Sequence, residues 1–123
     1  MAGTITVSTI SDGTNSTSST NCIQGSAKAW ATFTGATPPV ISASYNVSSV
    51  TRSATGTFAV NFTNALTDAN YCTQTTVRDN VGLALYSSIS YATTPTTSTF
   101  GISVFNANGT NIDPTTLYAA CFR

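Results

Sequence analysis

The chain has 123 residues, no histidine, four basic and four acidic residues, and a formal net charge of zero. Only 7% of its residues are charged, against roughly a quarter in ordinary soluble domains, so Ser, Thr, Asn and Gln must carry its solubility. Such a chain lacks the basic field that nucleic acid or an anionic membrane surface requires. It has no apolar run near the roughly 20 residues that span a bilayer, and one hydrophobic core is what this length supports.

Taken in order, residues 4–10 start as a short strand with Ile5 and Val7 on one side. No basic start and no apolar stretch follow Met1, so no secretory signal is expected. Residues 11–21 are almost wholly Ser, Thr, Asn, Asp and Gly, too polar to build a core. The first 21 residues therefore read as an extended N-terminal arm, either bound to a partner or added as a local strand to its own domain. Residues 22–123 read as the folded domain.

Residues 28–34 alternate, with Ala29, Ala31 and Phe33 facing one way and Trp30 the other. A lone Trp is commonly core, yet Trp is also over-represented in subunit contacts. Ile41, Ala43 and Tyr45 share a face of the next strand, and Val47 and Val50 fall out of step, which implies a bulge near Ser48-Ser49. Phe58, Val60 and Phe62 give the cleanest period of two in the chain, entered by a hairpin turn ending at Gly56. Residues 64–70 turn the chain, and Tyr71, Thr73, Thr75 and Val77 step together beyond them. Asp79-Asn80 reads as a turn, residues 82–92 as one bent strand or two short ones, and residues 93–97 as a polar connector. Phe100, Ile102 and Val104 alternate, Asn108-Gly109 and Asp113-Pro114 are turns, and the last strand has Tyr118, Ala120 and Phe122 in step. No segment has a convincing helical period. The expected fold is all-β, an antiparallel β-sandwich of Greek-key or jelly-roll type with the arm at its N-terminus.

Chemistry is hard to place on this chain. Nucleophile–base catalysis draws on histidine, activated lysine or a tuned carboxylate, and here Lys28 is the single lysine and all four acids are turn-prone Asp residues. The reading is of a protein that is not an enzyme and that carries no cofactor and no metal. The three cysteines lack metal-ligand spacing, and Asp68 and Asp79 lie in loops without the oxygen density of a calcium hand. Cys72 and Cys121 read as small buried hydrophobes, with a bridge between them as the alternative. The five tyrosines offer stacking surfaces in principle, but without basic neighbours core packing is the better reading. Four Asn-x-Ser/Thr triplets are what a Ser/Thr-rich chain contains by chance.

Residues 27–33 (AKAWATF), 43–51 (ASYNVSSVT) and 57–71 (TFAVNFTNALTDANY), in this order and spacing, resemble a module of tail-fibre-like and small structural proteins of tailed bacteriophages, including phages of cyanobacteria. The opening GTITVSTI and the closing CFR are similar to that group too. The resemblance implies a non-enzymatic protein of the virion exterior, made in the host cytoplasm. It would act as a tail-fibre or receptor-binding-type module, commonly a homotrimer, in contact with other virion proteins and with a host-surface glycan or protein. Neither nucleic acid nor membrane insertion is expected. Ile5, Val7, Ile10 and Trp30 are then the candidates for anchoring and oligomerisation, and Asp79, Asn80, Thr96 and Asn108 for host-facing loops. The short chain has no shaft, which raises the alternative of a capsid decoration (cement) protein clamping coat subunits; a free carbohydrate-binding β-domain is a third expectation.

Overall fold

The computed structural model of the protein describes residues 3–79 and 82–123. Its elements run β1 (Thr9–Ser11), β2 (Ser16–Ser18), α1 (Ser19–Gly25), β3 (Ala27–Phe33), β4 (Ile41–Tyr45), β5 (Val47–Ala54), β6 (Thr57–Phe62), β7 (Cys72–Arg78), β8 (Leu85–Ile89), β9 (Thr99–Asn106) and β10 (Thr116–Phe122). Eight of these strands form two four-stranded antiparallel sheets, ordered β4-β3-β10-β7 and β5-β6-β9-β8. The chain crosses between the sheets four times, and β10 returns to lie beside β3, far away in sequence. This is the all-β sandwich that the alternation implies.

The core forms where the inner faces meet. Phe33 on β3 and Leu117 on β10 face Phe58, Val60, Phe100 and Ile102 from β6 and β9, and all six are sealed from solvent. The Phe33 and Phe58 rings meet edge to face across the sheets, centroids 5.9 Å apart. Phe62, Tyr71 and Phe100 form a second aromatic cluster, with centroids 5.8 to 6.3 Å apart. Each buried large side chain contributes about 1.5–3 kcal/mol, which is why the alternation in β6 and β9 fixes the register of both strands.

Two sharp turns of the chain have local causes. Between β4 and β5 the chain passes from one sheet to the other at Asn46, whose φ is 53°, a left-handed conformation that Asn tolerates better than most residues. The Asn46 amide donates to the carbonyls of Lys28 and Asn64 at 3.1 Å each and accepts from the Asn64 N–H at 2.8 Å, tying the corner to both sheets. A bulge follows between Val47 and Ser49, where the apolar period breaks. The β5–β6 hairpin turns at Gly56, with φ of 65°. A Cβ there would strike the carbonyl oxygen of Val104 and the backbone of Ile112, so the site accepts only glycine.

Several expectations are corrected. Residues 3–8 belong to no strand, and Ile5 is 88% exposed; the strand starts at Thr9 and pairs only with β2 in a small hairpin. Residues 19–25 are helical, so the expected division between residues 21 and 22 falls inside α1. The Ser18 hydroxyl caps this helix by accepting from the Asn21 N–H at 3.1 Å. Seven residues with no buried member leave no apolar stripe for a periodicity reading to find. In β10 the buried face is Leu117, Ala119 and Cys121, and the stepping set Tyr118, Ala120 and Phe122 faces outward. Cys72 pairs with Phe122 on that outward face and is exposed, whereas Cys121 is fully buried, so Cys72 is no core residue and both thiols are free. Trp30 is likewise outside the core, 39% exposed.

Candidate functional site

The outer faces of the two sheets differ although they draw on the same residue types. On the β5-β6-β9-β8 sheet, polar side chains satisfy one another. The Asn61 amide donates to the hydroxyls of Ser49 at 3.1 Å and Thr51 at 3.3 Å, and the Thr99 hydroxyl donates to the Val60 carbonyl at 2.9 Å. Its aromatic pair, Tyr86 and Phe105, stacks on itself with centroids 6.1 Å apart.

The β4-β3-β10-β7 sheet presents a different surface. Register places Tyr45, Trp30, Ala120 and Gln74 in one outward row across all four strands. Ala43, Thr32, Tyr118 and Thr76 form the adjacent row. Ala120 is the small residue in the middle, and the surface sinks over it into a cleft of about 330 Å³ lined by Trp30, Tyr118, Thr32, Gln74 and Thr76. Trp30 and Tyr118 are 39% and 40% exposed. Among the described residues none hydrogen-bonds to the side chains of Thr32, Gln74 or Thr76, to the Trp30 indole N–H or to the Tyr118 hydroxyl. Hydrogen-bonding amide and hydroxyl groups and two aromatic rings therefore face one hollow with no ionisable side chain but the phenol. Arg78 stands one row beyond, opposite Thr116. Lys28 is drawn away to the end of α1, where its ammonium donates to the Ile23 carbonyl and to the Ser26 hydroxyl.

The tyrosines do not go to the core as expected. Tyr45, Tyr86, Tyr91 and Tyr118 are exposed. Tyr71 alone packs on the core, donating to the carbonyls of Thr96 and Thr99 at 2.9 and 3.0 Å, and burial pushes its phenol up to about 12, with the Cys121 thiol adding to the shift.

The anchoring and loop candidates sort to the ends of the sandwich. Ile5, Val7 and Ile10 are exposed on the N-terminal arm, next to the hairpin β1–β2. Helix α1 leads this arm to the end where Ile23 and Lys28 border the same hollow as Leu66 and Arg123. Trp30 belongs to the side cleft and not to that end. Thr96 lies at the arm end, since its carbonyl accepts from Tyr71 and its neighbour Thr97 accepts from the Leu66 N–H. Asp79 and Asn108 lie at the opposite end, Asp79 beside Gly35 and Pro114, and Asn108 in the turn closed by Asn106 and Thr110. The length of β9, about 23 Å for its eight residues, separates the two ends. The three described loop candidates thus make no single surface; Asn80 lies outside the described residues.

The carboxylates are occupied with structure. Asp12 accepts from the Thr14 and Asn15 N–H groups in the β1–β2 turn, Asp68 pairs with Arg123, and Asp79 accepts from the Leu83 N–H. Asp113 accepts from Arg52 Nε at 3.0 Å and Nη2 at 2.7 Å and from the Gly56 N–H at 2.8 Å. The Arg52 guanidinium holds the Asp113 carboxyl below the usual range. Asp79 and Asp113 line one hollow at the arm-distal end. Among the described residues no three metal-binding side chains cluster, and no helix is long and apolar enough to cross a membrane.

Comparisons of the chain with protein-family models, with curated proteins and with solved structures return no match.

Proposed function

We propose that the chain is a non-enzymatic structural protein of a tailed-phage exterior, a tail-fibre or receptor-binding-type module that works through contacts. The observation that carries the reading is the outward surface of the β4-β3-β10-β7 sheet, where Tyr45, Trp30 and Tyr118 gather without a charged residue among them. Contiguous exposed aromatics mark contact surfaces, and the resemblance of residues 27–33, 43–51 and 57–71 to phage fibre modules supplies the biological setting.

The two ends support a polarity. The arm, with Ile5, Val7 and Ile10 exposed, is the anchoring and trimer-forming element toward other virion proteins, and the opposite end with Asp79 and Asn108 points away from the particle. Thr96, at the arm end, leaves the host-facing set. Immunogold labelling of intact virions, with antibodies to this chain, tests the reading. Label confined to fibres or tail tip supports it. Label spread over the capsid shell supports the decoration role instead, and no label on intact particles overturns both.

A further inference from the structure

We infer that the cleft over Ala120 is a binding site for an uncharged sugar ring, held between Trp30, Tyr118, Gln74 and Thr76. The inference rests on the contact reading of this face and names its ligand.

The dimensions come from the sheet. Trp30 and Gln74 flank Ala120 in one row, two strand spacings apart, or about 9.5 Å. Tyr118 stands two residues along β10 on the same face, between Thr32 and Thr76. The hollow of about 330 Å³ lies at the lower end of small-ligand sites. Its floor is low because position 120 is alanine; a larger residue there would fill it.

The chemistry selects the ligand. A pyranose has one face of C–H bonds and a rim of hydroxyls. The C–H face suits the negative face of an indole or phenol ring, and the rim suits an amide and hydroxyls that both donate and accept. Here Gln74, Thr76 and Thr32 have no partner among the described residues, so binding would satisfy groups now left to water.

Other occupants fit less well. Single-stranded nucleic acid would need cations along the backbone path, and no cation lines the cleft, Arg78 standing one row beyond it. A second copy pressed on this face would place the free amide and hydroxyls at the centre of a protein interface, where unpaired polar groups cost about 1–3 kcal/mol each. The absence of any lysine, arginine or carboxylate among the lining side chains points to a neutral sugar and not to an acidic one.

Trp30 is the only tryptophan, so its emission reports the site directly in the full-length protein. The probes are methyl glycosides and disaccharides of glucose, galactose, mannose and N-acetylglucosamine. At least one should shift Trp30 emission saturably, with half-saturation on the order of 1 mM or below. Saturation-transfer NMR should then mark the C–H protons of one ring face. Gln74→Ala should weaken binding about tenfold, Tyr118→Ala should abolish it, and Tyr86→Ala on the other sheet should change nothing, all with parental melting. No emission change with any probe overturns the inference, as does binding that survives Tyr118→Ala. An oligomer by light scattering that Trp30→Ala dissociates, with no sugar effect, overturns it in favour of a self-contact. Sugar binding by a protein absent from virions would sink the virion reading and leave the site standing; labelled fibres with no sugar response would do the reverse.

Discussion

Phe58→Ala should be the most damaging single truncation in the inner face of the sandwich. Phe58 has no solvent exposure, sits in the central strand β6 between β5 and β9, and meets Phe33 of the opposite sheet edge to face. Losing the ring removes its transfer energy of about 1.5–3 kcal/mol and leaves a cavity whose walls belong to two hydrogen-bonded sheets that cannot collapse freely. The sum is about 3–5 kcal/mol. For a domain of this length each kcal/mol moves the midpoint by about 3–6 °C, so the melting temperature should fall by about 10–30 °C.

Urea unfolding followed by circular dichroism and by Trp30 emission gives the free energy, and the slope with denaturant should match the parent's. Phe105→Ala is the control. Phe105 faces outward on β9 and stacks on Tyr86, so its loss should cost about 1 kcal/mol. Equal costs for the two variants would show that β9 and β6 do not bury the faces assigned to them. So would a cost below about 1.5 kcal/mol for Phe58→Ala.

Gly56→Ala should cost about 1–3 kcal/mol, and Gly109→Ala about 1 kcal/mol. Both glycines have positive φ, but a Cβ at 56 meets Val104 and Ile112 whereas one at 109 meets open space; equal losses in thermal melts would remove the collision from the account. Tyr71 gives a pH signature. Its phenol is raised to about 12 in the fold, so the stability it contributes is full below about pH 10 and is lost as pH rises toward 12. Relative to Tyr71→Phe, the parent should lose stability across that window, and parallel pH curves would refute the burial. Thiol titration should find Cys22 and Cys72 reactive in the native protein and Cys121, fully buried with its thiol pushed up by desolvation, reactive only in denaturant. Three fast thiols would mean that β10 is not sealed between β3 and β7.

The sandwich itself was legible because its central strands obey one rule. In β6 and β9, large apolar residues alternate with small or polar ones, and the large apolar set is buried in both strands, with only Thr57 and Gly101 buried on the other parity. The turns at Gly56 and Gly109 and the bulge after Val47 were legible for the same local reason. Helix α1 was not, because its signal is a single Ser18 cap with no apolar stripe. Nor could the ends be sorted: whether Thr96 and Asn108 share a surface depends on strand order, which pairs β9 with β6 and β8 and is encoded in no single segment.

The cleft was missed for a more informative reason. β10 carries apolar residues at both parities, Leu117, Ala119 and Cys121 on one side and Tyr118, Ala120 and Phe122 on the other, so alternation cannot say which side is inner. β3 poses the same ambiguity through Trp30. Both ambiguous strands are neighbours at the centre of one sheet, and their surplus aromatics emerge on the same outer face. Composition does not force this, since the other sheet covers itself with the Asn61, Ser49 and Thr51 network. In a chain of zero net charge, exposed aromatics favour self-association with little repulsion to oppose it. A face that keeps Trp30, Tyr118 and Tyr45 outward therefore carries a solubility cost. Local alternation is ambiguous for both central strands of this sheet, and the two ambiguities meet around Ala120.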